Sequence, residues 1–204
     1  DGDLPSRSGM GSSSVFVVGL MNLLNSFKNE RTTTKKLAES SIYFEQKILK
    51  EVVGSQDQIA ASYGGFNKIV FKPGGEFAVI PFSIKKTIQQ LNKNLILVYT
   101  GYKRTAHHIA KSYVDKLQTS KKSHLLEISN FVNEGERILK KGKIDDFGKL
   151  LHESWSEKKS LSSLISNASI DHIYDSALKR GALGGKLLGA GGGGFFVFYV
   201  PDYK

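Results

Sequence analysis

The sequence predicts an α+β chain of two domains, residues 1–92 and 93–204, and three observations carry that expectation. A glycine-rich turn, Ser8-Gly9-Met10-Gly11-Ser12-Ser13-Ser14, opens an apolar helical run that continues to Phe27. Two apolar stretches at 66–71 and 77–82 flank Lys72-Pro-Gly-Gly-Glu76 and read as a β-hairpin. Beyond a soft boundary near residue 92, helical patterns dominate until a second glycine-rich stretch, 184–194, runs into Phe195-Phe-Val-Phe-Tyr-Val200. Strands and helices gathered in blocks, rather than alternating, are the pattern of an α+β chain.

The elements follow in order. Gly9 and Gly11 leave the backbone around Met10 free to take positive φ and to approach a ligand closely. Ser12 or Ser13 suits the N-cap of the helix behind them, whose first turn leaves unpaired N–H groups at the positive end of the macrodipole. That combination binds anions, phosphate above all. The helix from about Ser12 to Phe27 is apolar on almost every side, which suits burial in a core. A second helix is expected from about Thr34 to Val53, ending at Gly54. On it Glu45 shares a face with Ala38, Ser41, Ile42, Ile48, Leu49 and Val52, so its carboxylate lies within an apolar stripe and needs a cation. Either a buried Lys or Arg supplies that cation, or a bound Mg²⁺ does. Ser55 with Gln58 forms a plausible capping box for a short helix that Gly64 and Gly65 end, and Asp57 sits in its first turn. Leu95 to Tyr99 reads as a strand, followed by helices at about 104–118, 123–141, 144–159 and 170–180. His107 and His108 point about 100° apart on a helix and cannot clamp one metal as an i, i+4 pair would. His152 and Trp155 read as packing residues.

Composition narrows the function classes. Hydrophobic residues at 40% and charged residues at 24% suit a soluble globular chain, and the 204 residues can build a real core. Lys and Arg number 29 against 19 Asp and Glu, for a net charge of +10, which suits nucleic acid, an acidic surface or phosphorylated small molecules. The lysine pairs Lys35-Lys36, Lys85-Lys86, Lys121-Lys122, Lys140-Lys141 and Lys158-Lys159 are isolated and read as solvated helix faces. The absence of cysteine excludes a disulfide scaffold and a thiol nucleophile, and agrees with a cytoplasmic protein. No apolar run reaches membrane-spanning length, so no membrane partner is expected. The aromatics lie in apolar runs rather than between Lys and Arg, which argues against a nucleic-acid binder.

Three motifs together resemble one family. Pro5-x-x-x-Gly9-Met10-Gly11-Ser12-Ser13-Ser14 resembles the phosphate-binding motif of the kinase superfamily of galactokinase, homoserine kinase, mevalonate kinase and phosphomevalonate kinase. It is not a Gly-x-x-x-x-Gly-Lys-Ser/Thr loop, and it lacks the third glycine of the dinucleotide fingerprint. Glu45 on a helix, then Gly54-Ser-Gln-Asp57-Gln58, resembles the region of the metal-binding glutamate and catalytic aspartate in galactokinase-like enzymes. Gly189-Ala-Gly191-Gly192-Gly193-Gly194 resembles the superfamily's third motif, because an apolar strand follows it where a dinucleotide fold would have a helix. Val53-Gly-Ser-Gln-Asp-Gln, Tyr99-Thr-Gly, Leu151-His-Glu-Ser-Trp, Lys158-Lys-x-Leu-Ser162 and Gly181-Ala-Leu-Gly-Gly-Lys-Leu-Leu look like the D-glycero-D-manno-heptose 7-phosphate kinase family. L-fucokinase shares part of this pattern.

The resemblance implies a two-domain kinase fold of the galactokinase and mevalonate kinase type, and transfer of the γ-phosphoryl group of ATP to a sugar hydroxyl. The anomeric hydroxyl of D-glycero-D-manno-heptose 7-phosphate is the implied acceptor, with an L-fucokinase-like or other small-molecule kinase as the alternative. It assigns ATP binding to Ser8, Gly9, Met10, Gly11, Ser12, Ser13 and Ser14, and Mg²⁺ to Ser13 and Glu45. Asp57 takes the catalytic place at the acceptor, and Gly191, Gly192 and Gly193 line the substrate. The family's strand with Arg and a Gly-Gly-x-Thr-Asp turn has no counterpart here, and no strand precedes the glycine turn to present it. A fragment lacking the N-terminal strands is therefore expected. A nucleotide-binding fragment without catalysis and an RNA-binding protein are the rival classes, and a homodimer is compatible with the sequence without being specified by it.

Overall fold

The computed structural model describes residues 9–103, 106–116 and 119–202, and it divides into two compact units. Among the described residues, one is Gly11–Ser83 and the other takes residues 84–202 together with Gly9 and Met10. The boundary expected near residue 92 falls inside a helix that the sequence reading did not anticipate.

In the first unit, helix α1 (Ser12–Phe27) packs on α2 (Thr34–Tyr43) and α3 (Gln56–Tyr63), and α2 packs on α3. Thr33 caps α2 by accepting a hydrogen bond from Lys36 N at 3.2 Å. The core holds Val17, Val18, Leu37, Ala38 and Ile59. The expectation of an all-round buried α1 is corrected. Only Ser14, Val17 and Val18 are buried, whereas Phe16 is 70% and Phe27 77% exposed. One stripe of α1 meets α2 and α3, and nothing among the described residues covers the rest.

The second helix is also shorter than expected. At Phe44–Ile48 it passes into a π turn, in which Leu49 N donates to Phe44 O at 2.9 Å, and at Lys50 the backbone enters positive φ. Ala38, Ser41 and Glu45 share the buried face as expected. The altered winding carries Ile48 and Leu49 outward, each about half exposed. The hairpin forms as expected. Strands β1 (Asn67–Phe71) and β2 (Phe77–Pro81) are antiparallel with Asn67 opposite Pro81 and Phe71 opposite Phe77, and Lys72 N donates to Glu76 O at 2.8 Å across the turn.

The second unit starts with α4 (Lys85–Asn94), which has only Ile88 and Leu91 as apolar residues and so gave a weak pattern. Thr87, Leu91 and Asn94 are nonetheless buried, and the helix packs on α7. Strands β3 (Leu95–Tyr99), β4 (Gly184–Leu187) and β5 (Phe195–Tyr199) form an antiparallel sheet in the order β3-β5-β4. Helices α5 (Ala106–Val114), α6 (Lys122–Lys140), α7 (Ile144–Lys159) and α8 (Ala168–Lys179) lie close to their expected spans. The expected start of α5 at Arg104 and its end at 117–118 fall outside the described residues, as do the side chains of His107 and His108.

Trp155, Tyr174, Phe196 and Phe198 fill the core of this unit, with Trp155 edge-on to Phe196 at 5.4 Å and Phe196 stacked on Phe198 at 5.0 Å. Helix α7 approaches the sheet closely because glycine faces glycine. A Cβ on Gly184 would strike Gly148 O and lie 2.8 Å from His152 N. Trp155 is a packing residue as expected; His152 is exposed instead, with its ring stacked on Tyr174 and Nδ1 2.7 Å from Tyr174 Oη.

Burial pushes the Tyr174 hydroxyl up to about 12, outweighing a backbone hydrogen bond from Gly185 that lowers it, with the Asp175 charge adding to the rise. Below pH 10 the tyrosine is neutral whether the chain is folded or unfolded. Between pH 10 and about 12 the unfolded chain ionises first, so the contribution of Tyr174 to stability is lost across that window. Chemical denaturation followed from pH 9 to 12 is expected to show a shallower loss of stability in Tyr174→Phe than in the parent. Parallel curves would contradict this.

Candidate functional site

The N-terminus of α1 gathers most of the residues that the sequence singled out. Gly9 and Gly11 have φ of 80° and 68°, as expected for the turn. Gly11 is the N-cap residue, in the left-handed region and with no side-chain cap, which corrects the expectation that Ser12 or Ser13 caps the helix. The first intrahelical bond runs from Val15 N to Gly11 O at 2.9 Å. The serine side chains have another use. Ser14 Oγ donates to Glu45 Oε2 at 2.8 Å, and Ser13 Oγ lies 3.4 Å from Glu45 Oε1. Ser8 lies outside the described residues, while Met10 and Ser12 are partly buried.

Glu45 sits in the π turn and is 1% exposed. Its third partner is Gln58, whose Nε2 donates to the same Oε2 in a very short hydrogen bond. All three are neutral donors, and among the described residues no Lys or Arg pairs with Glu45. Oε2 accepts from both Ser14 and Gln58, whereas the other oxygen, Oε1, is only loosely engaged. That suits a cation completing the site, since Mg²⁺ takes one or two carboxylates and fills its shell with water and phosphate oxygens. The described residues contain no cluster of three or more His, Cys, Asp or Glu able to hold a metal by themselves.

Asp57 is in the first turn of α3, as expected, and partly buried. Its carboxylate lies against the N-cap of α1: a Cβ built on Gly11 would be 3.2 Å from Asp57 Oδ2. Gly11 thus answers to two demands, a left-handed φ and room for the aspartate. The capping box expected for α3 is not formed. Ser55 is at the N-cap without a side-chain cap; its Oγ accepts from Gln46 Nε2 at 3.1 Å, and Gln58 has turned to Glu45. Sequence reasoning missed Gln46, and it missed Ser14 and Gln58 as partners of Glu45. Local capping rules offered Gln58 a nearer partner, and only packing of α3 on α2 gave it a different one.

In the second unit, the stretch from Leu188 to Gly194 joins β4 to β5. Gly192 N donates to Ile165 O at 2.7 Å, Gly194 N to Tyr102 O at 2.9 Å, and Thr100 Oγ1 to Gly194 O at 2.9 Å. A Cβ on Gly191 would lie 2.9 Å from Ile165 Cα, one on Gly192 would strike Ile109, and one on Gly193 would lie 2.6 Å from Tyr102 O. The close approach required of these three glycines is therefore to the protein's own backbone and core. Lys158, expected on a solvated face, is buried at 8% exposure and donates to Leu187 O at 2.7 Å and to Gly189 O, anchoring the start of the loop. From the strand side, Lys186 Nζ donates to Ser154 Oγ at 2.7 Å, and burial lowers its pKa.

Residues 1–65 match the GHMP kinases N terminal domain, and residues 137–203 match the GHMP kinases C terminal domain. A D-glycero-alpha-D-manno-heptose 7-phosphate kinase of Campylobacter jejuni is 35% identical over 207 residues, covering 99% of this chain and 60% of that protein. The crystal structure of a D-glycero-D-manno-heptose 1-phosphate kinase from Bacteroides thetaiotaomicron superposes with a TM-score of 0.70 at 26% identity, covering 97% of this chain and 55% of the other. A Lactococcus lactis galactokinase complexed with galactose shares the fold, with a TM-score of 0.73 at 18% identity over 98% of this chain and 60% of its own. The chain thus spans about 60% or less of the length of these relatives. Among the described residues no helix is long and apolar enough to cross a membrane. With the N-terminal and C-terminal domain patterns of one family found in order along its length, the chain belongs to the GHMP kinases.

Proposed function

We propose that these residues carry the phosphate-binding and phosphoryl-transfer machinery of an ATP-dependent sugar kinase, with the anomeric hydroxyl of D-glycero-D-manno-heptose 7-phosphate as acceptor. The observation that supports this most directly is the meeting of Ser13, Ser14, Glu45 and Asp57 at the N-terminus of α1. The names of the two heptose phosphate kinases above support the choice of acceptor.

In this reading the backbone from Ser8 to Ser14 holds the phosphates, aided by the open first turn of α1 and its macrodipole. Ser13 and Glu45 hold Mg²⁺, which when bound neutralises charge on the transferring phosphate. The bond from the γ-phosphorus to the β,γ-bridging oxygen breaks as the acceptor oxygen bonds to phosphorus in line, and the hydroxyl proton leaves toward Asp57. Such transfer asks the protein mainly for positioning and charge stabilisation. A first-turn aspartate is a weak base, so orienting the hydroxyl is the larger part of its work. The resemblance assigns Gly191, Gly192 and Gly193 to the substrate lining, while their close contacts among the described residues are with Ile165, Ile109 and Tyr102.

Calorimetric titration of the chain with MgATP tests the nucleotide site. Saturable binding is expected, with Ser13→Ala weakening it by about tenfold. Absence of binding by the parent chain would remove the nucleotide site from these residues. ADP release measured against heptose 7-phosphate, L-fucose and galactose then tests the acceptor, and a preference for either neutral sugar would replace the heptose reading.

A further inference from the structure

Gln58 is fully buried, and its two amide atoms are treated very differently. Nε2 donates to Glu45 Oε2, whereas Oε1, itself buried, has no hydrogen-bond partner. An ionised carboxylate can only accept, so the amide must present its N–H₂ to Glu45; the flipped amide would set two oxygens against each other. Accepting at Oε2 from both Ser14 and Gln58, Glu45 sets the orientation of Gln58 at the expense of an unsatisfied carbonyl. Such an orphan within a buried polar group calls for an explanation.

The neighbouring residue of the π turn completes the arrangement. Gln46 Nε2 donates to Val53 O and to Ser55 Oγ, each at 3.1 Å. Two consecutive residues of the π turn, Glu45 and Gln46, therefore hold α3 at residue 58 and just before its first turn. Asp57 lies between those two attachments.

We propose that Gln58 is a positioning residue: through its hydrogen bond to Glu45 it orients the metal-facing carboxylate and ties it to the helix that carries Asp57. This rests on the reading of Glu45 as a Mg²⁺ ligand given above. Outer-shell partners of this kind typically change metal affinity or activity by 10- to 100-fold when removed.

The test measures the Mg²⁺ concentration that gives half-maximal ATP binding by calorimetry, for the parent, Gln58→Leu, Glu45→Gln and the double variant, each first shown to melt cooperatively. Gln58→Leu is expected to raise that concentration by about tenfold, and to add little once Glu45→Gln is present. An equal effect in both backgrounds, or no effect in a background where Glu45→Gln acts, would overturn the proposal while leaving the metal reading intact. A Mg²⁺ dependence untouched by Glu45→Gln would overturn both.

A second arm needs no ligand and serves if Gln58→Leu does not fold. In Gln58→Glu the introduced carboxyl meets Glu45, and the pair is expected to share a proton, with one carboxyl titrating well above the ordinary range by carbon NMR. Two carboxyls titrating in the ordinary range would show that the contact does not exist and would end the proposal.

Discussion

Asp57→Asn is expected to lower turnover about a thousandfold while leaving the dissociation constant for MgATP nearly unchanged. The substitution keeps the size of the side chain and its place beside Gly11, where Asp57 Oδ2 would lie 3.2 Å from a Cβ. It removes the charge and the ability to receive the acceptor proton. A thousandfold loss corresponds to about 4 kcal/mol of transition-state stabilisation, the size expected of a group that both orients and accepts. Single-turnover assays alongside calorimetry give the two quantities separately. If turnover and nucleotide affinity fall together, Asp57 belongs to the phosphate site or to the fold of α3, and the acceptor role is lost.

Glu45→Gln carries the second large effect. The amide retains an oxygen that can accept from Ser14, but it cannot offer a cation a full charge. The Mg²⁺ needed for half-maximal nucleotide binding is expected to rise by 10- to 100-fold. Stability in the absence of Mg²⁺ is expected to be unchanged or higher, because the parent buries a carboxyl group with no cationic partner among the described residues. A structural ion pair predicts the opposite, a loss of about 3–5 kcal/mol on removing one partner, with unaltered metal dependence. Thermal melts with and without Mg²⁺ separate the two.

Both effects depend on a contact no single segment encodes. Ser14 and Glu45 are 31 residues apart, and Glu45 and Gln58 are 13 apart. They meet because α2 packs on both α1 and α3. The same packing explains two of the places where local reasoning failed. Serine at a helix start is a good cap in isolation, yet Ser13 and Ser14 turn toward a buried charge, whose demand for donors exceeds that of a solvated helix end. The Ser55 and Gln58 pair has the spacing of a capping box, and each side chain is drawn instead to the π turn.

What the sequence determined by itself is the set of local elements and the chemistry they bear. The positive φ of Gly9 and Gly11, the hairpin around Pro73-Gly-Gly75, the strand after the second glycine run, and the family all followed from residue type and order. The burial of Glu45 followed from helical periodicity. Only the tertiary structure decided which groups answer that burial, that the helix changes to a π turn where Glu45 lies, that α1 keeps most of its apolar surface exposed, and that Lys158 is buried against the carbonyls of the glycine loop. The physical reason is one of range. Dihedral preference and periodicity act over a few residues, whereas the partner of a buried polar group is set by which distant segment arrives beside it.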